Sequence, residues 1–165
     1  TRATWGDNLA PYSFFNAVAY VPPQVMFASN GLKDTVEAAR ESGVFCVNVV
    51  GAGDAAAMNA TSAPLARGTD EFAHAGVARA ECDTIPCPRV AGAPASLECR
   101  VARIVPMAGR DNIVVFGEVT GVHLRDDCLV DGRFDVTRFR PLARLGYMDY
   151  AAVAEIFAMR RPGEA

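Results

Sequence analysis

The chain has 165 residues, of which 51% are hydrophobic and 21% are charged. This composition is typical of one globular domain, so we expect residues 1–165 to form a single unit. The formal net charge of −3 excludes the strongly basic surface that most nucleic-acid-binding domains carry. No apolar run approaches the ~20 residues of a membrane span, and no segment has the pattern of a signal peptide. We therefore expect a cytoplasmic protein with no nucleic-acid or membrane partner.

Histidines and cysteines give no sign of a metal site. The two histidines, His74 and His123, belong to no HExxH motif or Cys/His cluster, so we expect no metal. The cysteines form no CxxC pair, and their odd number excludes a complete disulfide framework. Reduced, mostly buried thiols are expected. The five cysteines are Cys46, Cys82, Cys87, Cys99 and Cys128.

The first predicted elements are a strand and a short helix. Gln24–Ser29 is apolar and follows two prolines, which favours a strand entered from a rigid turn. Asp34 and Glu37 have the spacing of a capping box, which predicts a helix of about two turns with Asp34 as its N-cap residue. Gly43 is a typical C-terminal stop for that helix.

The middle of the chain combines one strong strand signal with less regular segments. Val44–Val50 is a β-branched, nearly continuous apolar run, typical of a strand buried on both faces. Ala52–Ala66 is rich in alanine and is predicted to be helical as far as Pro64. Gly68–Pro94 is interrupted by Gly and Pro and is interpreted mostly as a loop.

The C-terminal half carries further β signals. Ser96–Val105 alternates apolar and charged residues, and Asn112–Arg125 is rich in Val, Ile and Phe, so we expect the two to pair. Asp131-Gly132 predicts a small hairpin, since this dipeptide tolerates the positive φ of a type I′ turn. No βαβ rhythm is visible. The predicted fold class is therefore mainly β with short helices, and a β-barrel fits better than a doubly wound sheet.

Two segments could bind a cofactor, which would have to supply any redox chemistry because no nucleophile or nucleotide motif is present. Ser29–Thr35 joins a strand end to a helix start and contains hydroxyl groups, a glycine and the single lysine, Lys33. A phosphate could bind there, with a plain structural turn as the alternative. Asn8–Ala17 interleaves small polar and aromatic residues, which could line a flat ring or pack into the core.

The order of several motifs resembles the flavin reductase-like, FMN-binding split-barrel family over most of the chain. Each motif is loose, but their joint order is specific. The motifs are Asn8-Leu9-Ala10-Pro11-Tyr12-Ser13-Phe14-Phe15-Asn16, Lys33-Asp34-Thr35, Gly43-Val44-Phe45-Cys46-Val47-Asn48, Asp70-Glu71-Phe72, Leu97-Glu98-Cys99 and Arg144-Leu145-Gly146.

The resemblance implies a single-domain, six-stranded Greek-key split β-barrel and a homodimer. It implies that FMN, with FAD as an alternative, lies in a groove completed by the second chain, with its ring on the first motif and its phosphate at the turn before the helix. The residues carried over as cofactor-binding are Asn8, Ser13, Phe14, Phe15, Asn16, Ser29, Lys33 and Thr35.

The resemblance also places His123 beside the flavin as the candidate catalytic residue. A partly buried, hydrogen-bonded histidine is the alternative. If no bulge intervenes, His123 is in phase along its strand with Val115, Gly117, Val119 and Gly121. Two features depart from the family pattern. The chain begins at Thr1 with what resembles the end of the family's first strand, so we expect that N-terminal strand to be absent, and Tyr147 replaces a small residue, where it could cover the ring or pack.

The function that the resemblance implies is an NAD(P)H-dependent flavin reductase, in which hydride passes from the nicotinamide co-substrate to flavin. A partner monooxygenase could then use the reduced flavin. One alternative is an FMN-binding electron carrier without its own nicotinamide site. Another is a structural dimer that has kept the barrel and lost the ligand.

Overall fold

The computed structural model describes residues 1–109 and 111–163, which are mainly β-strand, as predicted. The strands are β1 (Arg2–Ala3), β2 (Gly6–Asp7), β3 (Phe15–Tyr20), β4 (Pro23–Asn30), β5 (Val44–Asn48), β6 (Arg79–Glu81), β7 (Pro88–Val90), β8 (Ala95–Pro106), β9 (Asn112–Leu124), β10 (Leu129–Val130), β11 (Arg133–Phe134), β12 (Leu142–Gly146) and β13 (Asp149–Ala152). The helices are α1 (Asp34–Ser42), α2 (Ala55–Ala60) and α3 (Glu71–His74), with 3-10 turns at Ala52–Asp54, Asp126–Cys128 and Val136–Arg138. None of the helices in the two described ranges is long and apolar enough to cross a membrane.

A five-stranded antiparallel sheet, in the order β3-β4-β9-β8-β5, forms the centre of the fold. The predicted pairing of the two long strands is confirmed, because β8 and β9 pair from Ala95–Leu124 at one end to Pro106–Ile113 at the other. The predicted strand before the helix is also confirmed. On it Val25, Phe27 and Ser29 are buried while the residues between them are more exposed, as expected of a strand with one core face.

Strand β12 lies next to β5, in the position of a sixth strand. The N–H of Leu142 donates to the Val50 carbonyl at 3.0 Å, and Gly51 forms an isolated bridge with Pro141. The expectation that β5 is buried on both faces as far as Val50 is wrong. The strand ends at Asn48, and its last three residues are only half-buried, because they face the groove described below.

The main core lies between the central sheet and α1. The buried residues that form it are Val25, Phe27, Val36, Phe45, Cys99 and Val115. Gly117 on β9 is a point of very close approach, because a Cβ at this position would lie 2.4 Å from Cζ of Phe45. Only a residue without a side chain leaves room for that ring.

The start of α1 differs from the prediction, whereas its end agrees with it. The N-cap residue is Lys33, which has an extended backbone, and Asp34 is the first helical residue. The Asp34 carboxylate pairs with Arg67 at 2.8 Å rather than capping the helix. Gly43 ends the helix in the left-handed conformation, with φ of 72°, and its N–H donates to the Ala39 carbonyl.

Two segments differ from their predictions, one because it is less helical and the other because it contains more regular structure. The alanine-rich segment forms a 3-10 turn and the short helix α2, which ends well before Pro64. The segment 68–94, interpreted mostly as a loop, contains α3 and the antiparallel pair β6–β7. The small hairpin at Asp131-Gly132 is confirmed, since both residues have positive φ, 50° and 74°, between the paired strands β10 and β11.

Candidate functional site

A groove of about 700 Å³ runs between the segment before β3 and the end of β5. Helices α1 and α2 and the β12–β13 hairpin complete its walls. Its volume is within the usual range of sites for small molecules and cofactors, roughly 300–1,000 Å³. Polar and aromatic side chains that line it include Asn8, Tyr12, Ser13, Phe15, Thr35, Asn48, Phe72, Arg144 and Tyr150.

Four of the predicted cofactor-binding residues lie along this groove, namely Asn8, Ser13, Phe15 and Thr35. Sequence positions 8 and 35 are far apart, and the packing of α1 against the first segment brings them together. The other predicted site residues lie outside the groove lining. They are Phe14, Asn16, Ser29, Lys33 and His123.

The amide of Asn8 holds one end of the groove together. Its Oδ1 accepts a hydrogen bond from Oγ1 of Thr35 at 2.6 Å, and its Nδ2 donates to the Glu71 carboxylate at 2.8 Å. The Leu9 N–H also donates to Glu71. Burial raises the pKa of Glu71, and these hydrogen bonds oppose that effect. The polar groups of Asn8 and Thr35 are therefore hydrogen-bonded to each other, and these two residues shape the groove through that contact.

Tyr12 lines the groove but is not among the predicted site residues. Its hydroxyl is buried without a hydrogen-bond partner among the described residues. Its ring packs against Phe27, with the ring centres 4.7 Å apart. A buried tyrosine hydroxyl normally has a partner, so a polar atom of a ligand in the groove would satisfy it. This residue and the groove volume fit a flavin, whose ring is flat and has polar edges.

Arg144 is the second such residue, and its guanidinium places a positive charge in the groove lining. Its guanidinium donates to the Tyr150 hydroxyl at 3.0 Å and to the Tyr147 carbonyl, and it lies 5.0 Å from the centre of the Tyr150 ring. Tyr147 itself is 94% exposed, so in one chain its ring neither packs nor covers the groove. The motif Arg144-Leu145-Gly146 was the sequence signal that could have identified this arginine.

The turn predicted to bind phosphate is organised by its own contacts. The Ser29 hydroxyl is buried and donates to the Gly31 carbonyl at 2.7 Å, while Lys33 is exposed. Thr35 alone connects this turn to the groove lining. The exposed lysine therefore lies outside the groove lining in the single chain.

His123 binds a buried carboxylate on the neighbouring strand. Its Nε2 lies in hydrogen-bond contact with Glu98, whose side chain is fully buried. A bulge at Thr120 interrupts β9, so the predicted phase between Val119 and His123 is wrong, because the bulge adds a residue there. The contact corresponds to the alternative of a partly buried, hydrogen-bonded histidine.

Glu98 anchors the segment before β7 to the sheet. Besides His123, its carboxylate accepts the N–H of Asp83 at 2.7 Å and both the N–H and hydroxyl of Thr84, at 2.6 and 2.5 Å. Burial alone would raise the pKa of Glu98, but the hydrogen bonds from Thr84, His123 and Asp83 outweigh it and lower this pKa to about 2. One oxygen or nitrogen each of Asp83, Glu98 and His123 lie within 4.8 Å of one another. Four donors already occupy the Glu98 oxygens, so this cluster is best interpreted as a hydrogen-bonded anchor.

Comparison with known proteins finds relatives over nearly the whole chain. The model of a family described as "Flavin reductase like domain" matches residues 1–142. An uncharacterized protein of Deinococcus radiodurans is 36% identical, in an alignment that covers 96% of this chain and 79% of that protein.

Two solved structures are similar to this one over most of their length. Nitrilotriacetate monooxygenase component B from Bacillus cereus is 30% identical with a TM-score of 0.91, over 96% of this chain and 83% of that chain. A protein from Shewanella frigidimarina, described as a flavin reductase with a split barrel domain, is 20% identical with a TM-score of 0.89, over 98% of this chain and 82% of that chain. The predicted split-barrel fold is confirmed by this likeness.

The anchor at Glu98 predicts a specific loss of stability in acid. Its pKa of about 2 in the folded protein lies below the ~4.3 of an unfolded glutamate, so its contribution is complete above about pH 5 and is lost as the pH falls toward 2. The full contribution is on the order of 3 kcal/mol. Urea unfolding of the wild type and Glu98→Gln, at about pH 7 and about pH 3, should show a smaller difference in unfolding free energy at the lower pH. An equal difference at both pH values would contradict a charged anchor.

Proposed function

Because the chain belongs to the flavin reductase-like domain family, we propose that it binds FMN in the groove and reduces it with NAD(P)H. Membership of this family makes it a flavin-related oxidoreductase. The observation that carries the proposal is Tyr12, which lines a groove of cofactor size and whose buried hydroxyl has no hydrogen-bond partner among the described residues. A polar atom at the edge of the flavin ring would complete that hydroxyl's hydrogen bonding.

The proposed ring contacts are Tyr12, Ser13 and Phe15, which follow one another along the groove. Asn8 and Thr35 are proposed to position this segment through their mutual hydrogen bond. On the basis of the resemblance, contacts with the cofactor are also proposed for Phe14, Asn16, Ser29 and Lys33. FMN is the proposed cofactor, and FAD is the alternative.

A bound flavin supplies the redox chemistry by accepting and giving up hydride, and it requires from the protein mainly binding, orientation and electrostatics. Tyr12 can orient the ring, and the apolar side chains that line the groove exclude water from it. Arg144 places a positive charge in the wall, which would favour an electron-rich group beside it, while Asp54 adds a negative charge to the same lining. No acid or base of the protein is needed for hydride transfer.

A homodimer with the flavin near its interface is also proposed. The edge strand β3 is exposed along nearly its whole length, although it carries the apolar residues Phe15, Val18 and Tyr20. An exposed apolar edge strand of this kind is a typical surface for association. Phe15 also lines the groove, so a second chain on β3 would help to cover the cofactor.

The structure from Bacillus cereus is component B of a nitrilotriacetate monooxygenase. On the basis of that likeness, a partner monooxygenase is proposed to use the reduced flavin, in the cytoplasm. The alternative, an electron carrier without a nicotinamide site, is distinguished by the first experiment below.

The wild-type protein should contain a flavin that bleaches on addition of NADH or NADPH. Heat release followed by fluorescence and mass measurement identifies the ligand, and stopped-flow absorbance gives the rate of bleaching. A flavin that stays oxidised with both nucleotides would indicate the electron carrier, and a colourless protein that takes up no flavin would refute the proposal. His123→Ala tests the candidate catalytic role, which requires slower bleaching per bound flavin. Because His123 binds Glu98, we expect a lower melting temperature and an unchanged rate.

Tyr12→Phe should weaken binding of both FMN and riboflavin about five- to tenfold, since it removes one neutral hydrogen bond to the ring. It should not lower the melting temperature of the flavin-free protein, because the hydroxyl has no hydrogen-bond partner in the part of the chain that the structure describes. Lys33→Ala is the matched variant for the phosphate. If Lys33 binds that group, FMN affinity falls about ten- to a hundredfold and riboflavin affinity does not change. Unchanged affinities in both variants would remove these two residues from the site.

Light scattering at micromolar concentration should give the mass of a dimer. Val18→Asp places a charge on the apolar edge strand, outside the groove lining, and should shift the mass toward the monomer. Glu118→Lys is a suitable control, since Glu118 is exposed on a different strand of the sheet. A monomeric wild type would contradict the proposed dimer.

A further inference from the structure

Asn48 is a polar groove residue at the end of β5. It is half-buried, and it lies opposite Ser96 of β8 in the register of the central sheet. Its side chain also reaches Val90 of β7, which lines the groove as well. Asn48 therefore lies where the sheet and the β7 wall of the groove meet.

Two donors hold the side-chain oxygen of Asn48. Its Oδ1 accepts the main-chain N–H of Val90 at 2.9 Å and the hydroxyl of Ser96 at 2.9 Å. Because a main-chain N–H can only donate, the amide atom that faces Val90 must be the oxygen. The orientation of the amide is therefore fixed, and its amino group, Nδ2, is the part left for another contact.

The amino group of Asn48 is an open hydrogen-bond donor. Within residues 1–109 and 111–163 it donates to no other group, since both hydrogen bonds of this side chain are made by Oδ1. In the same ranges, the buried side-chain polar atoms that lack a partner are the Tyr12 hydroxyl and Nε of Arg89. Nδ2 is neither of these, so it is accessible rather than buried. Because Asn48 lines the groove, a ligand there can accept its hydrogen bond.

We propose that Asn48 binds the flavin ring directly, by donating a hydrogen bond from Nδ2 to a carbonyl oxygen or ring nitrogen at the ring edge. This inference rests on the proposed function, because it requires a flavin in the groove. An amide that is already fixed by two hydrogen bonds loses little conformational freedom when the ligand binds. Asn48 is thus a preorganised donor.

Asn48 and Tyr12 approach the groove from different sides. Tyr12 lies on the segment before β3, and Asn48 lies at the end of β5, the two elements between which the groove runs. One polar contact leaves a flat ring free to turn about it, whereas two contacts from opposite walls select one orientation. Asn48 therefore adds orientation to the affinity that Tyr12 provides.

The same donor favours the reduced form of the flavin. Reduction adds electron density to the acceptor atoms of the ring, and a fixed donor stabilises an acceptor more strongly as its negative charge grows. The amide of Asn48 achieves this without gaining or losing a proton.

The test is Asn48→Asp. This variant keeps the oxygen that accepts from Val90 and Ser96, and it replaces the donor with a charged acceptor. Fluorescence titration of the flavin-free protein should show that riboflavin and FMN both bind about ten- to a hundredfold more weakly, since an acceptor of the ring loses its donor and faces a carboxylate. Anaerobic titration should show a larger loss of affinity for reduced FMN than for oxidised FMN.

Ser96→Ala is the matched control. It removes one hydrogen bond to Oδ1 but leaves the Val90 N–H and the amino group of Asn48 in place. It should lower the melting temperature by about 2–4 °C and leave both flavin affinities nearly unchanged. A comparable loss of affinity in Ser96→Ala would show that Asn48 acts only by holding β7, and it would overturn the proposal.

Circular dichroism checks that Asn48→Asp is folded. If it is not, the wild type labelled with ¹⁵N-asparagine gives the deciding measurement, because the side-chain N–H resonances of Asn48 should shift when riboflavin is added. Unshifted resonances would overturn the proposal.

The outcomes separate this inference from the proposed function. A wild type that binds no flavin would refute both. A wild type that binds flavin, together with an Asn48→Asp variant that binds riboflavin equally well, would refute the role of Asn48 alone. Weaker binding of FMN without weaker binding of riboflavin would also refute it, because the contact would then lie at the phosphate.

Discussion

The hydrogen bonds of the Asn8 amide are the interaction on which the groove depends. One side chain connects the first segment to α1 through Thr35 and to α3 through Glu71. Leaving any of these buried polar groups without a partner costs about 1–3 kcal/mol, so they hold each other in place. Tyr12 and Phe15 follow on the same segment, and their position opposite β5 is set by that anchor.

Local sequence signals were sufficient for much of the fold. The sequence patterns of β8 and β9 and the Asp131-Gly132 turn each depend on neighbours in the chain, and the structure has the two paired strands and the hairpin that they predict. Gly43 ends α1 for the same kind of reason, since only its own backbone conformation is involved. The resemblance added the split-barrel arrangement, and four of the site residues that it predicted lie along one groove.

The differences arise where a distant residue decides the outcome. The carboxylate of Asp34 forms an ion pair with Arg67, so the predicted helix cap is not formed. Glu98 binds His123 from the neighbouring strand, and the bulge at Thr120 changes the phase that the sequence suggested. Arg144 reaches the groove from a hairpin far along the chain. Neither composition nor periodicity contains such contacts, because both describe only nearby residues.

The close approach of Gly117 to Phe45 has a consequence for how the sequence can vary. The Phe45 ring on β5 occupies the space that a side chain at Gly117 on β9 would need. Even an added methyl group at position 117 would collide with the ring and with Cβ of Cys99, 2.9 Å away. Adjusting the ring alone would still leave the second collision. A relative with a larger residue at 117 is therefore expected to carry a smaller residue at 45 and, because every residue except glycine has a Cβ, a glycine or a shifted backbone at 99.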